Sequence, residues 1–116
     1  MTARIDNALG SIFLYENVLA DIVGISTIEC YGLVGMAPKG SADGLVELLK
    51  REHLSKGVKV YMEEGKLVID LYIVVEFGTK ISAVAQNIID KVKYSVETMT
   101  GMEVKKVNVN VKGVRV

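Results

Sequence analysis

Few residues in this sequence have the type and spacing that catalysis or metal binding requires. His53 is the only histidine, and the nearby Glu47 and Glu52 do not give it metal-ligand spacing. We therefore expect His53 to be a polar residue at the exposed end of a short helix. Cys30 is the only cysteine, which excludes an internal disulfide and a four-cysteine metal site. Its apolar neighbours, among them Ile28, favour a small buried side chain over a nucleophile.

The acidic residues and glycines give no catalytic pattern either. Asp70 and Glu76 fall on the same face of one strand, about 20 Å apart, whereas a glycosidase pair needs roughly 5 to 10 Å. The glycine spacing of nucleotide-binding loops is missing from the sequence. Gly32 and Gly35 form a GxxG, the spacing of a KH loop, but the two residues between them are apolar and favour a buried strand. We therefore predict no catalytic, cofactor-binding or metal-binding residues, and no cofactor.

Composition limits the class of partner. The chain has 116 residues, of which 50% are hydrophobic and 24% charged, and 14 basic residues balance 14 acidic ones. This predicts one domain over residues 1–116 and excludes a strongly basic nucleic-acid-binding tail. Two basic clusters remain, and at zero net charge they are more typical of a solvated surface than of a nucleic-acid site. They are Lys50, Arg51, Lys56 and Lys59, and then Lys105, Lys106, Lys112 and Arg115.

The first half of the chain predicts alternating short elements. We expect a loose or helical lead over residues 1–9, a strand over Ser11–Tyr15, and a helix from Glu16 that ends before Gly32. Small residues in this helix, such as Gly24, suggest close packing on a sheet. Apolar Leu33–Met36 favours a buried strand. The Pro38–Gly44 segment is a loop by composition, and a short amphipathic helix is expected around Leu45–Leu54.

The second half shows clearer periodicity. Alternation predicts a strand over residues 58–63, a hairpin turn over 63–66 and a strand from Leu67 to Phe77 with Phe77 facing inward. Apolar spacing of three and four residues predicts a long helix over 81–99, capped by Gly101. A last strand starts at Val107 and slips register at Lys112-Gly113. The order predicts an α+β fold: a two-layer sandwich in which two main helices pack on one face of a mixed sheet.

The outer face of the Leu67–Phe77 strand is only partly polar. It carries Val68, Asp70, Tyr72, Val74 and Glu76. Such a face is covered by a helix or by a partner, and we favour the helix. Charge at Asp70 and Glu76 has a simple explanation in the solubility of a half-exposed strand. The alternative is that Asp70, Tyr72 and Glu76 form a partner surface.

Several segments together resemble the bacterial alkaline-shock protein family, which includes the general-stress Gls-type proteins. The main segments are Leu54–Val60, Ile69–Gly78, Met99–Val104 and Val107–Val114, and shorter ones are Ile22–Ile25, Gly32–Met36 and Asp43-Gly44. The resemblance runs from about residue 10 to Val116 and suggests a short, single-domain member. Tyr15 replaces the Ser-like helix cap usual in the family, and the long charged tail of larger members is absent, so that tail's functions do not transfer.

The resemblance implies a cytoplasmic, non-enzymatic protein of stress response and cell-envelope homeostasis that acts as an interaction or scaffold module. Family members associate with themselves or with a protein partner, either a membrane anchor or a kinase-like neighbour, so association with the membrane would go through the partner. An edge strand, Ser11–Tyr15 or Val107–Val116, could supply backbone groups for this. The alternatives are a nucleic-acid-binding module that uses the basic clusters and an accessory subunit of a kinase-like enzyme.

Overall fold

A computed structural model describes residues 2–30, 33–36, 47–48 and 57–116, with side chains described for 3–30 and 57–116. These residues form seven strands and two helices. They are β1 Thr2–Asn7, β2 Gly10–Tyr15, α1 Glu16–Ile28, β3 Leu33–Met36, β4 Glu47–Leu48, β5 Val58–Glu63, β6 Lys66–Glu76, α2 Ile81–Thr100 and β7 Val104–Arg115. Strands β1 and β2 make a two-stranded sheet, and the other five strands make one mixed sheet. The predicted α+β architecture is confirmed.

Strand β6 is the centre of the mixed sheet. β7 runs parallel to β6 along Leu67–Glu76, and therefore occupies one whole edge of it. On the other edge, β5 pairs antiparallel with the first half of β6 and β3 with the second half. β4 extends the sheet beyond β3. A parallel β6–β7 pair requires a crossover between the two strands, and α2 provides it.

Alternate residues of β6 form the middle of the core. These side chains are at most 1% exposed, and they are Leu67, Ile69, Leu71, Ile73 and Val75. They belong to one cluster with buried residues of both helices, Leu19, Ala20, Val23, Val84, Ile88, Val92 and Val96. Burying one such aliphatic side chain contributes about 1.5–3 kcal/mol, so this layer is the main source of stability.

Local sequence explains the ends of the best-predicted elements. The apolar spacing of α2 places Val84, Ile88, Val92 and Val96 on its buried face, as predicted. Gly101 ends α2 with φ of 74°, a left-handed conformation that favours glycine, and its N–H donates to Glu97 O at 3.0 Å. The β5–β6 hairpin turns at Glu64 and Gly65, which both have positive φ, as in a type I′ turn.

Helix α1 is apolar around most of its circumference. Its N-cap residue, Tyr15, makes no side-chain capping hydrogen bond, as the sequence indicated. The small residues Ala20 and Gly24 are buried, which fits the predicted close packing. Val18 and Ile25 were expected on the buried side, but they are 42% and 41% exposed. The helix is therefore rotated so that Leu19 and Val23 face the core instead.

Three expectations are corrected by the structure. The N-terminal lead is not loose or helical, because residues 2–7 pair with β2 from Thr2↔Tyr15 to Asn7↔Gly10. The short helix is wrong at Glu47–Leu48, which pairs with β3 as a strand, and its remaining residues lie outside the described part. Phe77 does not face inward, because β6 ends at Glu76 and the Phe77 side chain is 71% exposed.

Candidate functional site

The three residues predicted as a partner surface lie together on the sheet face opposite the helices. Asp70, Tyr72 and Glu76 alternate with the buried core positions of β6, so their side chains point to the other side. Asp70 and Tyr72 are partly buried, and Glu76 is exposed. The strand thus separates an apolar row on the helix side from a mixed row on the open side.

Neighbouring strands extend this row into a surface. Lys59 of β5 and Asn108 of β7 lie on either side of Asp70, and Asn110 lies beside Tyr72. We call this surface the polar sheet face, and its residues are Lys59, Tyr61, Asp70, Tyr72, Glu76, Lys106, Asn108, Asn110 and Arg115. It combines amides, hydroxyls, both signs of charge and two aromatic rings on a regular sheet.

Hydrogen bonds fix part of the polar sheet face. Asn108 Nδ2 donates to Asp70 Oδ1 at 2.7 Å, and Asn110 Nδ2 donates to the Leu71 carbonyl oxygen at 3.0 Å. Lys59 Nζ lies 5.8 Å from the centroid of the Tyr61 ring, within reach of a cation–π contact. The two asparagine contacts link β6 to β7 through side chains, so this part of the surface is preorganised.

Two valines give the polar sheet face a buried floor. Val68 and Val74 point to this side, yet both are 0% exposed. Neither belongs to the core cluster on the helix side. The expectation that part of this face is covered is therefore met at these two positions, while Asp70 and Tyr72 between them keep part of their surface accessible.

An exposed aromatic ring extends the surface beyond the end of β6. Phe77 lies where two shallow grooves meet, of about 500 and about 560 Å³. Glu76 lines both grooves, Lys80 lines the first, and Arg115 lines the second. Both grooves are open and polar rather than enclosed, so they fit a macromolecular contact better than a small-molecule site.

The basic clusters are only partly free to bind an anionic partner. Lys105 Nζ donates to Glu63 Oε1 at 2.9 Å and to Glu64 Oε1 at 3.1 Å. The Lys105 hydrogen bond holds the pKa of Glu63 below its usual range, and the Glu63 hydrogen bond raises the pKa of Lys105. In the first cluster only Lys59 lies within the described residues.

The structure adds no catalytic or metal chemistry within its described residues. No group of three His, Cys, Asp or Glu side chains there could hold a metal ion. Cys30 is partly buried, with its Sγ 3.9 Å from Ser26 O, and burial raises the pKa of its thiol. A raised pKa keeps the thiol protonated at neutral pH, which disfavours a nucleophilic role. His53 lies outside the described part of the chain.

Sequence reasoning missed a polar cluster on the β1–β2 hairpin. Arg4 Nε donates to Asp6 Oδ1 at 2.7 Å, and Ser11 Oγ donates to the same oxygen at 2.5 Å. The Arg4 guanidinium also lies 5.5 Å from the Phe13 ring centroid. The signal was the alternation in residues 2–7, which becomes meaningful only once β1 is paired with β2.

The helices were also considered as membrane spans. Among the residues that the structure describes, no helix is both long enough and apolar enough to cross a membrane.

Comparison with known proteins places this fold and surface in a family. The alkaline-shock protein family, described as having a cell envelope-related function, matches residues 4–116. Uncharacterized protein YloU of Bacillus subtilis is 44% identical over 117 residues, which cover 100% of this chain and 98% of that protein. Uncharacterized protein Spy1614 of Streptococcus pyogenes is 38% identical over 117 residues, covering 100% of this chain and 97% of that protein.

A further relative, uncharacterized protein YqhY of Bacillus subtilis, is 31% identical over 95% of this chain and 81% of that protein. No solved structure matches the chain. The matches confirm the resemblance inferred from the residues and extend it towards the N-terminus, through the β1–β2 hairpin. This chain therefore belongs to the alkaline-shock protein family, whose function is related to the cell envelope.

Proposed function

We propose that this chain is a non-enzymatic interaction module of cell-envelope homeostasis and stress response, which associates with itself and with a protein partner through the polar sheet face. The observation that carries the proposal is the position of Tyr72. Its side chain is partly exposed and lies between Asp70 and Glu76 along β6, beside Asn110 of β7. A partner that covers this ring buries an aromatic surface within a polar rim.

The composition of this surface supports a protein partner. Protein interfaces are enriched in tyrosine and arginine, and they combine buried aromatic anchors with a hydrogen-bonding rim. The polar sheet face has two tyrosines, and Asn108 and Asn110 place amide groups around Asp70 and Tyr72. A regular sheet also keeps these groups in fixed positions, which lowers the entropy lost on binding.

The proposed cellular role follows from the family's relation to the cell envelope. A partner held in the membrane would bring this chain to the envelope without any insertion of the chain itself. A kinase-like protein is the alternative partner, with this chain as its accessory subunit. Nucleic acid is a weaker candidate, because Lys105 is already engaged by Glu63 and Glu64.

The test is the association of purified Tyr72→Lys, measured by sedimentation velocity over a concentration series. We expect Tyr72→Lys to shift the protein towards the monomer, because a cation replaces the aromatic anchor. Tyr94→Lys is the matched control, since Tyr94 is 68% exposed on α2 and makes the same chemical change away from the polar sheet face. Tyr72→Phe keeps the ring and should retain association.

Thermal melts of the variants separate lost binding from lost folding. If folded Tyr72→Lys sediments as the unchanged protein does, or if Tyr94→Lys weakens association equally, the polar sheet face is not the interface. Association that collapses at high salt and is accompanied by bound nucleic acid would favour the basic clusters instead.

A further inference from the structure

The free edge of β7 has a defined backbone orientation. The N–H groups of Leu67 and Phe77 donate to carbonyl oxygens of Glu103 and Arg115, both at 2.9 Å. Alternate residues of a strand direct their N–H and C=O groups to the same side, so the odd-numbered residues of β6 face β7. In a parallel pair, the β7 residues opposite the even-numbered positions of β6 then face β6. These β7 residues are Lys106, Asn108, Asn110, Gly113 and Arg115.

The remaining β7 residues direct their backbone groups away from the sheet. They are Val107, Val109, Val111 and Val114, which lie opposite the core residues of β6. Within the described part of the chain, β6 is the strand that pairs with β7, and the opposite edge of this 12-residue strand has no partner. An unpaired edge of this length is a template for one more strand.

The side chains beside this edge form two chemically distinct rows. On the helix side lies the valine row, in which Val109 and Val111 are partly buried and Val114 is 46% exposed. On the other side lie the basic and amide residues of the polar sheet face, Lys106, Asn108, Asn110 and Arg115. A strand added to this edge would place alternate side chains against each row.

The charge of β7 distinguishes between occupants. The strand has four basic residues and no acidic residue, and Lys105 is the one that pairs with Glu63 and Glu64. Lys106, Lys112 and Arg115 form no ion pair with any residue that the structure describes. A second β7 would bring cations against cations across the new pair, which is unfavourable. An acidic strand would neutralise them.

We propose that the free edge of β7 binds an extended segment of a partner protein in which apolar and acidic residues alternate, so that the segment becomes the next strand of the sheet. The apolar side chains continue the valine row, and the acidic side chains approach Lys106 and Arg115. This inference rests on the proposed function as an interaction module and assigns the chemistry of one partner segment.

The experiment measures the fluorescence anisotropy of a labelled peptide of alternating valine and glutamate, about ten residues long, to span a strand of this length, titrated with the full chain. A peptide of the same composition with its valines and glutamates in two blocks is the control, because it has the same charge but cannot form the two rows. We expect the alternating peptide to bind and the block peptide to bind at least about tenfold more weakly. Equal binding of the two peptides would show a purely electrostatic contact and overturn the proposal.

Two protein variants test the edge itself. Val109→Pro removes an outward N–H without removing a hydrogen bond to β6, and Val109→Thr is the matched control that keeps the N–H and the shape. We expect Val109→Pro to weaken binding by roughly tenfold relative to Val109→Thr, and Lys106→Glu with Arg115→Glu to weaken it further. Peptide N-methylated at alternate residues, on the side that faces β7, tests the same hydrogen bonds with the unchanged protein, even if Val109→Pro folds poorly.

The outcomes separate this proposal from the function it rests on. Undiminished peptide binding by folded Val109→Pro, or by the N-methylated peptide, refutes strand addition at β7. Self-association lost in Val109→Pro would make a second copy the occupant and would also refute the acidic segment. Neither result affects Tyr72→Lys, whose sedimentation tests the polar sheet face independently.

Discussion

Replacing Val74 with alanine tests whether the polar sheet face really has a buried floor. Strict alternation along β6 assigns Val74 to the side away from the helices, where such a substitution would cost little. The structure instead gives Val74 an exposure of 0%, equal to that of core residues on the helix side. Removing two carbon atoms loses about 1.6 kcal/mol of transfer free energy, and the residual cavity increases the loss to about 2–3 kcal/mol.

The neighbouring residues supply matched controls for this prediction. Val75→Ala makes the same change one residue along, on the helix side, where Val75 is 1% exposed. Val114→Ala makes it on β7 directly opposite Val75, but at a side chain that is 46% exposed. We expect the free energy of unfolding to fall by similar amounts in Val74→Ala and Val75→Ala, and by less than about 1 kcal/mol in Val114→Ala.

Urea denaturation followed by circular dichroism measures all three variants, provided that the slope against denaturant stays constant. For a domain of this size each 1 kcal/mol corresponds to roughly 3–6 °C in Tm, so thermal melts give an independent measurement. A loss in Val74→Ala as small as that in Val114→Ala would refute the buried floor. The whole of this face of β6 would then be available to a partner.

Two further substitutions test local features. Gly101→Ala should lower the free energy of unfolding by about 1 kcal/mol in urea denaturation, because φ at this position is 74° and no atom lies within 4 Å of an added Cβ. Gly101→Asn should lose less, since asparagine tolerates that conformation, and equal stability of Gly101→Ala and the parent would contradict the backbone argument. Lys105→Met should remove the stabilisation that comes from the lowered pKa of Glu63, which is present above the ordinary value of 4.5 and is lost as the pH falls through the lowered pKa. The difference in stability between the parent and Lys105→Met should therefore shrink on acidification, and a difference that stays constant or grows there would refute the pair; the raised pKa of Lys105 predicts a second loss at high pH, as the pH rises through that value.

The features that sequence predicted well depend on local periodicity. The spacing of apolar residues defined α2 and its buried face, and the alternation of residues 58–63 defined β5. The slip at Lys112-Gly113 also appears, as the register shift between Ile73 and Val74 in the β6–β7 pairing. In each case the residues within one element determine their own conformation.

The features that sequence missed depend on partners distant in the chain. Residues 2–7 form a strand only because β2 pairs with them, and Glu47–Leu48 is a strand because β3 does. The composition of the polar sheet face was also hidden, since Asp70 meets Asn108 only through the parallel register of β6 and β7. Asp70, Tyr72 and Glu76 could be placed on one face from alternation, but their neighbours could not.

The geometry of β6 separates the residues needed for folding from those available for binding. Its helix-side row is fully buried, so substitutions there reduce stability before they affect any contact. Its other row mixes buried Val68 and Val74 with the accessible Asp70, Tyr72 and Glu76. Because side chains on the two faces do not touch, changes at the accessible positions can alter association in a protein that still folds. Tyr72 and Val74 are two residues apart on the same face, yet they should fall on opposite sides of this division.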